Sequence, residues 1–317
     1  MADGIVGVNI AAGSARVAVE QIVEAERAGI PAAWGTIGMA GGQDPIAAFA
    51  AAAVQTESVL MGTCIIQTWP RHPLVIAQQA LALESLAPGR FRLGIGPAHQ
   101  PAMESSYGVT WRKPLTQLRE YLTVIRTLFD EGEVDFEGEH VVARARLRGP
   151  VEAPVMASAL RPKSFELCGE LSDGAISWMC PRAYLVEQAL PALERGARAA
   201  GREAPPLVAH VPVMVEADRE KVRAAVRGSL GYYAQSANYR GMFETAGFPI
   251  ADSYSDPLLD DLAISGSAEE VAAGLVGLLD AGMGEVLAHP VIDRDDRQGS
   301  LERAFGAIAL AAEQVAR

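Results

Sequence analysis

The chain has 317 residues, half of them hydrophobic, with 27 Lys and Arg against 39 Asp and Glu and a formal net charge of -12. That balance argues against a nucleic-acid partner, which would want a basic stripe, and no apolar run reaches the ~20 residues of a membrane span. Cys64, Cys168 and Cys180 lie far apart with no CxxC spacing, so neither a disulfide framework nor a zinc site is expected, and a reducing cytoplasm is the expected compartment.

The start MADGIVGVNIAAG has no basic n-region and reads as a first strand, Ile5–Ile10, rather than a signal peptide. Helix Arg16–Ala28 follows, stopped at Gly29, and Ala32–Thr36 reads as a short buried strand. Helix Pro45–Val54 is almost all alanine. It must pack closely, beneath another helix or against a second copy of the chain. The run Val59–Ile66 has strand length, and its Gly62-Thr63 marks a place where the backbone bends or is approached closely. Helix His72–Leu86 opens on Pro73, carries an apolar stripe at Leu74, Ala77, Leu81 and Leu83, and stops at Pro88-Gly89. Strand Arg90–Gly96 ends in Gly96-Pro97. Two strands joined by such a crossover should be parallel and right-handed.

A long loop, Pro97–Lys113, leads to the amphipathic helix Pro114–Asp130. Alternation from Gly132 to Leu147 predicts an inserted β-hairpin, within about residues 132–148. The alternation of strand and helix then resumes with strand Pro154–Ser158, helix Pro162–Leu171, strand Asp173–Trp178, helix Ala183–Ala200, strand Leu207–Val215 and helix Arg219–Tyr233. Ser236–Ile264 is irregular, aromatic and acidic, and reads as an inserted lid. Helix Ala268–Ala281 with Ser267 as N-cap, strand Glu285–Ala288 and helix Leu301–Val315 close the chain. About eight β/α units without a linker predict one (β/α)8 TIM barrel over residues 1–317, in preference to a doubly wound sheet.

Active sites of such barrels occupy the C-terminal ends of the strands. Gly94 and Gly96 invite a dinucleotide fingerprint, but the third glycine falls on His99 and Pro97 obstructs the phosphate turn. The glycines either end a strand or let Gly96-Pro97-Ala98 line a cofactor. His99 and Glu104 follow that strand end, as hydrogen-bonded structural residues or as groups that touch cofactor or substrate. Trp69-Pro70-Arg71-His72 is either a packing anchor with a helix cap or a binding loop. At Ala159-Leu160-Arg161-Pro162-Lys163 a helix N-terminus with two cations offers a phosphate site, beside the reading of an ordinary turn. His289 with Asp293, Asp295 and Asp296 reads as a solvated acidic loop. The histidines make no HxH or HExxH spacing, so no metal is expected. With no GxSxG elbow, no P-loop and no activated nucleophile, a bound redox cofactor is the natural source of chemistry.

The segments Gly62-Thr63-Cys64-Ile65, Arg71-His72-Pro73, Pro88-Gly89-Arg90-Phe91 and Leu93-Gly94-Ile95-Gly96-Pro97 resemble the luciferase-like flavin and deazaflavin oxidoreductases. Gly96 to Pro101, Arg119 to Leu122 and Leu171 to Gly174 are most similar to the branch that uses coenzyme F420. The resemblance implies a hydride-transferring oxidoreductase and a non-proline cis peptide at Cys64–Ile65 behind the deazaflavin ring. It implies cofactor contacts at Cys64, Ile65, Gly96, Pro97, Ala98, His99, Ala159, Leu160, Arg161 and Trp178. Water or a residue such as Glu104 or His99 would supply the proton. Where alcohol-oxidising relatives carry an Asp-His pair, this chain has Ile37-Gly38, so reduction of an activated C=C or C=N bond is the expected direction. The alternatives are an FMN-dependent monooxygenase served by a separate flavin reductase, and a non-catalytic flavin- or ligand-binding barrel. A homodimer through the alanine-rich early helices and a small-molecule substrate complete the expectation.

Overall fold

The computed structural model describes residues 4–37, 41–250 and 253–317. Strand and helix alternate as β1 (Ile5–Ile10), α1 (Ala15–Arg27), β2 (Ala32–Gly35), α2 (Pro45–Ala53), β3 (Leu60–Thr63), β4 (Ile66–Gln67), α3 (Pro73–Leu86) and β5 (Phe91–Gly96). Helices α4 (Gln100–Tyr107) and α5 (Pro114–Glu131) lead to the hairpin β6 (Glu133–Glu137) and β7 (Val142–Arg146). Then come β8 (Val155–Ser158), α6 (Pro162–Leu171), β9 (Gly174–Trp178), α7 (Arg182–Tyr184), a π turn Leu185–Ala189, α8 (Leu190–Ala199), β10 (Leu207–Met214) and α9 (Arg219–Leu230). A 3-10 turn Gly231–Gln235, α10 (Ala237–Thr245), α11 (Asp256–Leu262), β11 (Ile264–Ser265), α12 (Ala268–Asp280), β12 (Glu285–Pro290) and α13 (Arg297–Ala316) finish the chain.

The parallel sheet closes on itself. β12 pairs with β1, setting Ile5 opposite Glu285, and β10 pairs with both β9 and β12. With β3 and β4 sharing one strand position, this is the eight-stranded TIM barrel expected from the sequence. Closure leaves no sheet edge to protect. The short β11 takes the side of β10 that β9 vacates at its C-terminal end.

Period-2 alternation turns every second strand residue inward. Inside the barrel, Trp34, Cys64, Met156, Ile176, Val208 and Leu287 form an apolar cluster separate from the larger core under the helices. Gly62 stands where a Cβ would come within 2.4 Å of the Trp34 ring, which is the close approach its position in the sequence suggested. Below that ring sits a buried charge pair. Glu285 accepts from Trp34 Nε1 at 2.9 Å and from Arg92 Nη2 at 2.5 Å, while the Arg92 guanidinium lies 4.7 Å from the Trp34 ring centroid. Two hydrogen bonds and a cation–π contact satisfy a carboxylate that could not be buried alone.

Four elements differ from the sequence expectation. The run Val59–Ile66 is broken into β3 and β4 by a bulge described below. The expected loop Pro97–Lys113 contains α4, closed by Gly108 at φ 64°. The expected lid Ser236–Ile264 contains α10 and α11. These helices are short and poorly amphipathic, so the 3.6-residue period that reveals longer helices is absent. At the chain's end, β12 runs on to Pro290 and α13 begins at Arg297, where Asp296 caps it through Gly299 N.

Replacing Glu285 by Leu strands a buried guanidinium and should cost about 3–5 kcal/mol, most of it recovered in the double variant Arg92→Leu/Glu285→Leu. Urea unfolding followed by tryptophan fluorescence measures both. A double variant as unstable as the single would refute the pairing as the cause.

Candidate functional site

At the C-terminal mouth of the barrel, one strand carries an extra residue. Gly62 pairs with Arg92, but Ile66 pairs with Ile95, so three residues of one strand (63–65) face two of the next (93–94). Such a bulge leaves ladder groups unpaired. Thr63 repairs the gap with its side chain, its Oγ1 donating to Gly94 O and accepting from Gly94 N, both at 2.8 Å. A Cβ on Gly94 would lie 1.8 Å from the Thr63 carbonyl oxygen, and one on Gly96 would lie 2.1 Å from Ser158 Oγ. The glycines of Leu93-Gly94-Ile95-Gly96 therefore answer a packing demand first. The Cys64–Ile65 peptide within the bulge is cis.

A polar chain runs across the mouth from this bulge. Thr36 Oγ1 donates to Cys64 O at 3.0 Å and lies 3.2 Å from Asn9 Oδ1, which is also 3.4 Å from Cys64 Sγ. Asn9 Nδ2 lies 2.7 Å from His289 Nδ1. The His289 ring centroid is 5.1 Å from Trp178 and 5.8 Å from His210, and Trp178 and His210 stand 4.1 Å apart. Burial lowers the His289 pKa to about 4. Burial and the neighbouring His289 hold His210 well below the usual imidazole range. Both imidazoles are neutral at physiological pH. Burial also pushes the thiols of Cys64, Cys168 and Cys180 up to about 12. They are packing and hydrogen-bonding groups rather than nucleophiles.

Aromatic rings of the 3-10 turn Gly231–Gln235 and of α10 gather beside His99 and Trp178. His99, the N-terminal cap position of α4, has its ring centroid 5.6 Å from Tyr233, 5.9 Å from Tyr239 and 6.0 Å from Tyr232. Tyr233 is in turn 5.9 Å from Trp178. His99 and Trp178 are thus gathered with residues that the sequence reading did not single out. Ala98 adopts φ 61° and Met179 φ 50°, each just past a strand end. Left-handed non-glycine residues of this kind cluster at functional sites. Glu104 lies apart, exposed on α4 and accepting from Gln100 Nε2 at 3.0 Å.

At the turn after β8, the main-chain donors are already used. Ala159 N donates to Ile176 O, and the amides of Leu160 and Arg161 both donate to Ser164 Oγ at 3.0 Å. Anion binding here falls to the Arg161 and Lys163 side chains. The exposed Arg161 guanidinium packs over Gly241 of α10, where any Cβ would meet Nη1 at 2.2 Å.

Two other motifs prove structural. Arg71 pairs with Asp44, the N-cap of α2, at 2.9 Å. His72 caps α3 through Leu74 N and reaches Val142 O. In the acidic loop, Asp293 accepts from Asp295 N and Asp296 pairs with Arg303. Among the described residues no three His, Cys, Asp or Glu side chains gather to hold a metal.

The sequence reading missed Asn9, Thr36, His210, Tyr233 and Tyr239, and treated His289 only as part of a solvated loop. A usable signal existed for two of them: Asn9 is the one polar residue of β1, near its end, and His210 the one polar residue of β10.

Because His210 and His289 bind protons more weakly folded than unfolded, their contribution to stability is complete above the ordinary histidine range. It is lost as pH falls toward the lowered values. Melting temperature should drop between about pH 6.5 and pH 4, and less steeply in His210→Gln/His289→Gln. Calorimetry across that range decides; equal slopes would show that other groups govern the acid limit.

The luciferase-like monooxygenase family matches residues 5–285. The 5,10-methylenetetrahydromethanopterin reductase of Archaeoglobus fulgidus is 27% identical over 272 residues, covering 78% of this chain and 81% of the relative. An F420-dependent glucose-6-phosphate dehydrogenase of Beutenbergia cavernae is 32% identical over 194 residues, 58% of this chain and 57% of its own. Among solved structures, an F420-dependent secondary alcohol dehydrogenase in complex with an F420-acetone adduct superimposes with a TM-score of 0.79 at 21% identity, covering 97% of this chain and 99% of that one. With the family matched from its first barrel strand into its last, the chain belongs to the luciferase-like monooxygenase family.

Proposed function

We propose that this chain is an F420-dependent oxidoreductase that reduces an activated C=C or C=N bond of a small organic substrate. The observation that carries the reading is the mouth itself. The bulged strand end at 63–65 and the rings of Trp178, Tyr233 and His99 stand at the same end of the barrel, a setting that fits a flat tricyclic ring. The names of the relatives support the choice of F420 over FMN.

Cys64 and Ile65 would back the ring, and Gly96, Pro97, Ala98 and His99 would flank it. Ala159, Leu160 and Arg161 would face the phosphate, with Arg161 providing the charge that their occupied amides do not. When bound, the reduced deazaflavin supplies a hydride. The protein's own part is to orient the acceptor and exclude water, a task for the buried Tyr239 and the neighbouring Tyr233 beside Trp178. His99 under the lid and Glu104 at the solvent edge of the same helix are the groups proposed to hand in the proton. Of the pair that stands where alcohol-oxidising relatives carry Asp-His, Ile37 has no proton to transfer and Gly38 lies outside the described residues.

No helix among the described residues is long and apolar enough to cross a membrane, and a cytoplasmic location is part of the proposal. So is a homodimer. α2 packs its buried face on α1 and α3, leaving Ala47, Ala51 and Val54 exposed as a small-residue surface for a second copy.

Fluorescence titration should show F420 bound in preference to FMN, and Arg161→Ala should weaken F420 about tenfold, the worth of one charge-assisted contact. Spectrophotometric assays should show oxidation of reduced F420 by enones or imines and none of its reduction by secondary alcohols. Tight FMN binding without F420 affinity would overturn the reading.

A further inference from the structure

The strand ends opposite the bulge hold a group that the proposal above leaves idle. With the Thr36 proton given to Cys64 O, the donor facing Asn9 Oδ1 is the Cys64 thiol, at 3.4 Å. The amide sits with Oδ1 toward that thiol and Nδ2 toward His289. An amide nitrogen only donates, so His289 Nδ1 must accept, and the neutral ring carries its proton on Nε2. His289 is only partly buried, and its Nε2 is not among the sealed, unpartnered polar atoms, unlike that of His210. A directed N–H donor is therefore presented at the mouth without an acceptor among the described residues.

Its surroundings restrict what can accept that bond. The rings gathered here are Trp178 at the end of β9, His210 midway along β10 and His289 near the end of β12, none of them Lys or Arg. A carboxylate or phosphate placed among them would lose its hydration with no cation to replace it. A flat, uncharged molecule with one acceptor atom meets no such penalty and can lie against the Trp178 ring.

We infer that His289, held by Asn9 as its Nε2–H tautomer, is a substrate-binding residue that donates a hydrogen bond to the carbonyl oxygen of an uncharged conjugated carbonyl compound seated against Trp178. This rests on the reductase reading and deepens it. The bond withdraws electron density from the carbon–carbon double bond conjugated to the carbonyl, so it both orients the acceptor and favours hydride addition. It also excludes anionic substrates from this subsite.

The test uses the F420-loaded protein with cyclohex-2-enone as probe and an enone bearing a carboxylate as the charged comparison. Nitrogen-15 spectra of the wild type should show His289 protonated on Nε2 and bare on Nδ1. Asn9→Leu should yield a mixture of tautomers. His289→Leu should raise KM for cyclohexenone about tenfold, the effect of one lost hydrogen bond, while F420 affinity stays within about twofold. His289→Gln, which keeps a donor and covers the chance that the Leu variant fails to fold, should retain most of the affinity. A wild-type Nδ1–H tautomer would overturn the inference. So would an unchanged KM in a His289→Leu protein that binds F420, or a carboxylate probe used as well as the neutral one. Failure of the wild type to bind F420 at all would fell the reductase reading and this inference with it. That outcome is separable from the others, which are read in protein that holds the cofactor.

Discussion

The mouth of this barrel depends on a single side chain that stands in for the backbone. Where 63–65 outnumber 93–94, ordinary ladder pairing fails, and the Thr63 hydroxyl bonds both the N–H and the C=O of Gly94. Buried backbone groups left open would each cost on the order of 1–3 kcal/mol. A hydroxyl that accepts one bond and donates the other removes that cost without a water molecule. The repair requires the strands to approach so closely that only glycine fits at 94. Bulge, threonine and glycine are therefore one device.

Charge is distributed along the barrel axis with the same economy. At the closed end, Arg92 and Glu285 neutralise each other beside the Trp34 ring. Around Asn9 at the open end the polar groups are neutral: its amide, the Thr36 hydroxyl, the Cys64 thiol and two imidazoles kept uncharged by burial. An ion at the mouth would need a partner there or would draw in water. A neutral hydrogen-bonded network instead presents directed donors while keeping the space dry, which suits the transfer of a hydride between uncharged carbons. The three buried thiols belong to the same pattern, since burial that pushes them up to about 12 also removes them from competing covalent chemistry.

The barrel was legible because its long elements carry their own punctuation. Pro73 and Pro114 open helices, Ser267 caps another with Glu270 reciprocating, and Gly29 and Gly132 sit in the left-handed conformation that ends them. The bulge was legible only through resemblance, because nothing in the run Leu60-Met61-Gly62-Thr63-Cys64-Ile65-Ile66 announces an extra residue. The short helices of the lid were not legible, and neither were Tyr233 and Tyr239, whose role comes from a fold-back that no local pattern encodes. Glu104 illustrates the opposite error: position just after a strand end suggested the site, yet one turn of α4 places it at the surface. Arg71 and His72 look chemical in sequence, but the links they make tie the loop after β4 to α2 and the hairpin.

The interior parity of the strands explains why the missed residues belong together. Along β12, Glu285, Leu287 and His289 share one face, and along β10, Val208 and His210 do; β9 contributes Ile176 and Trp178, β3 Gly62, and β8 Met156 and Ser158. Read upward along β12, Glu285 is a low rung, Leu287 an apolar middle rung and His289 a top rung at the mouth. The low rung holds the Arg92–Glu285 pair, the middle rung holds Met156, Ile176, Val208 and Leu287, and the top rung is the candidate site. A one-residue slip in any strand would exchange these rungs for residues of the helix-facing core. The apolar middle thus fixes the register that places Asn9, Trp178, His210 and His289 around one opening, and β3 alone departs from it at its top, because the bulge shifts its phase by one. Packing and chemistry are specified by the same alternation, so the side chains that could bind a substrate are those whose neighbours two residues earlier are already locked in the barrel's core.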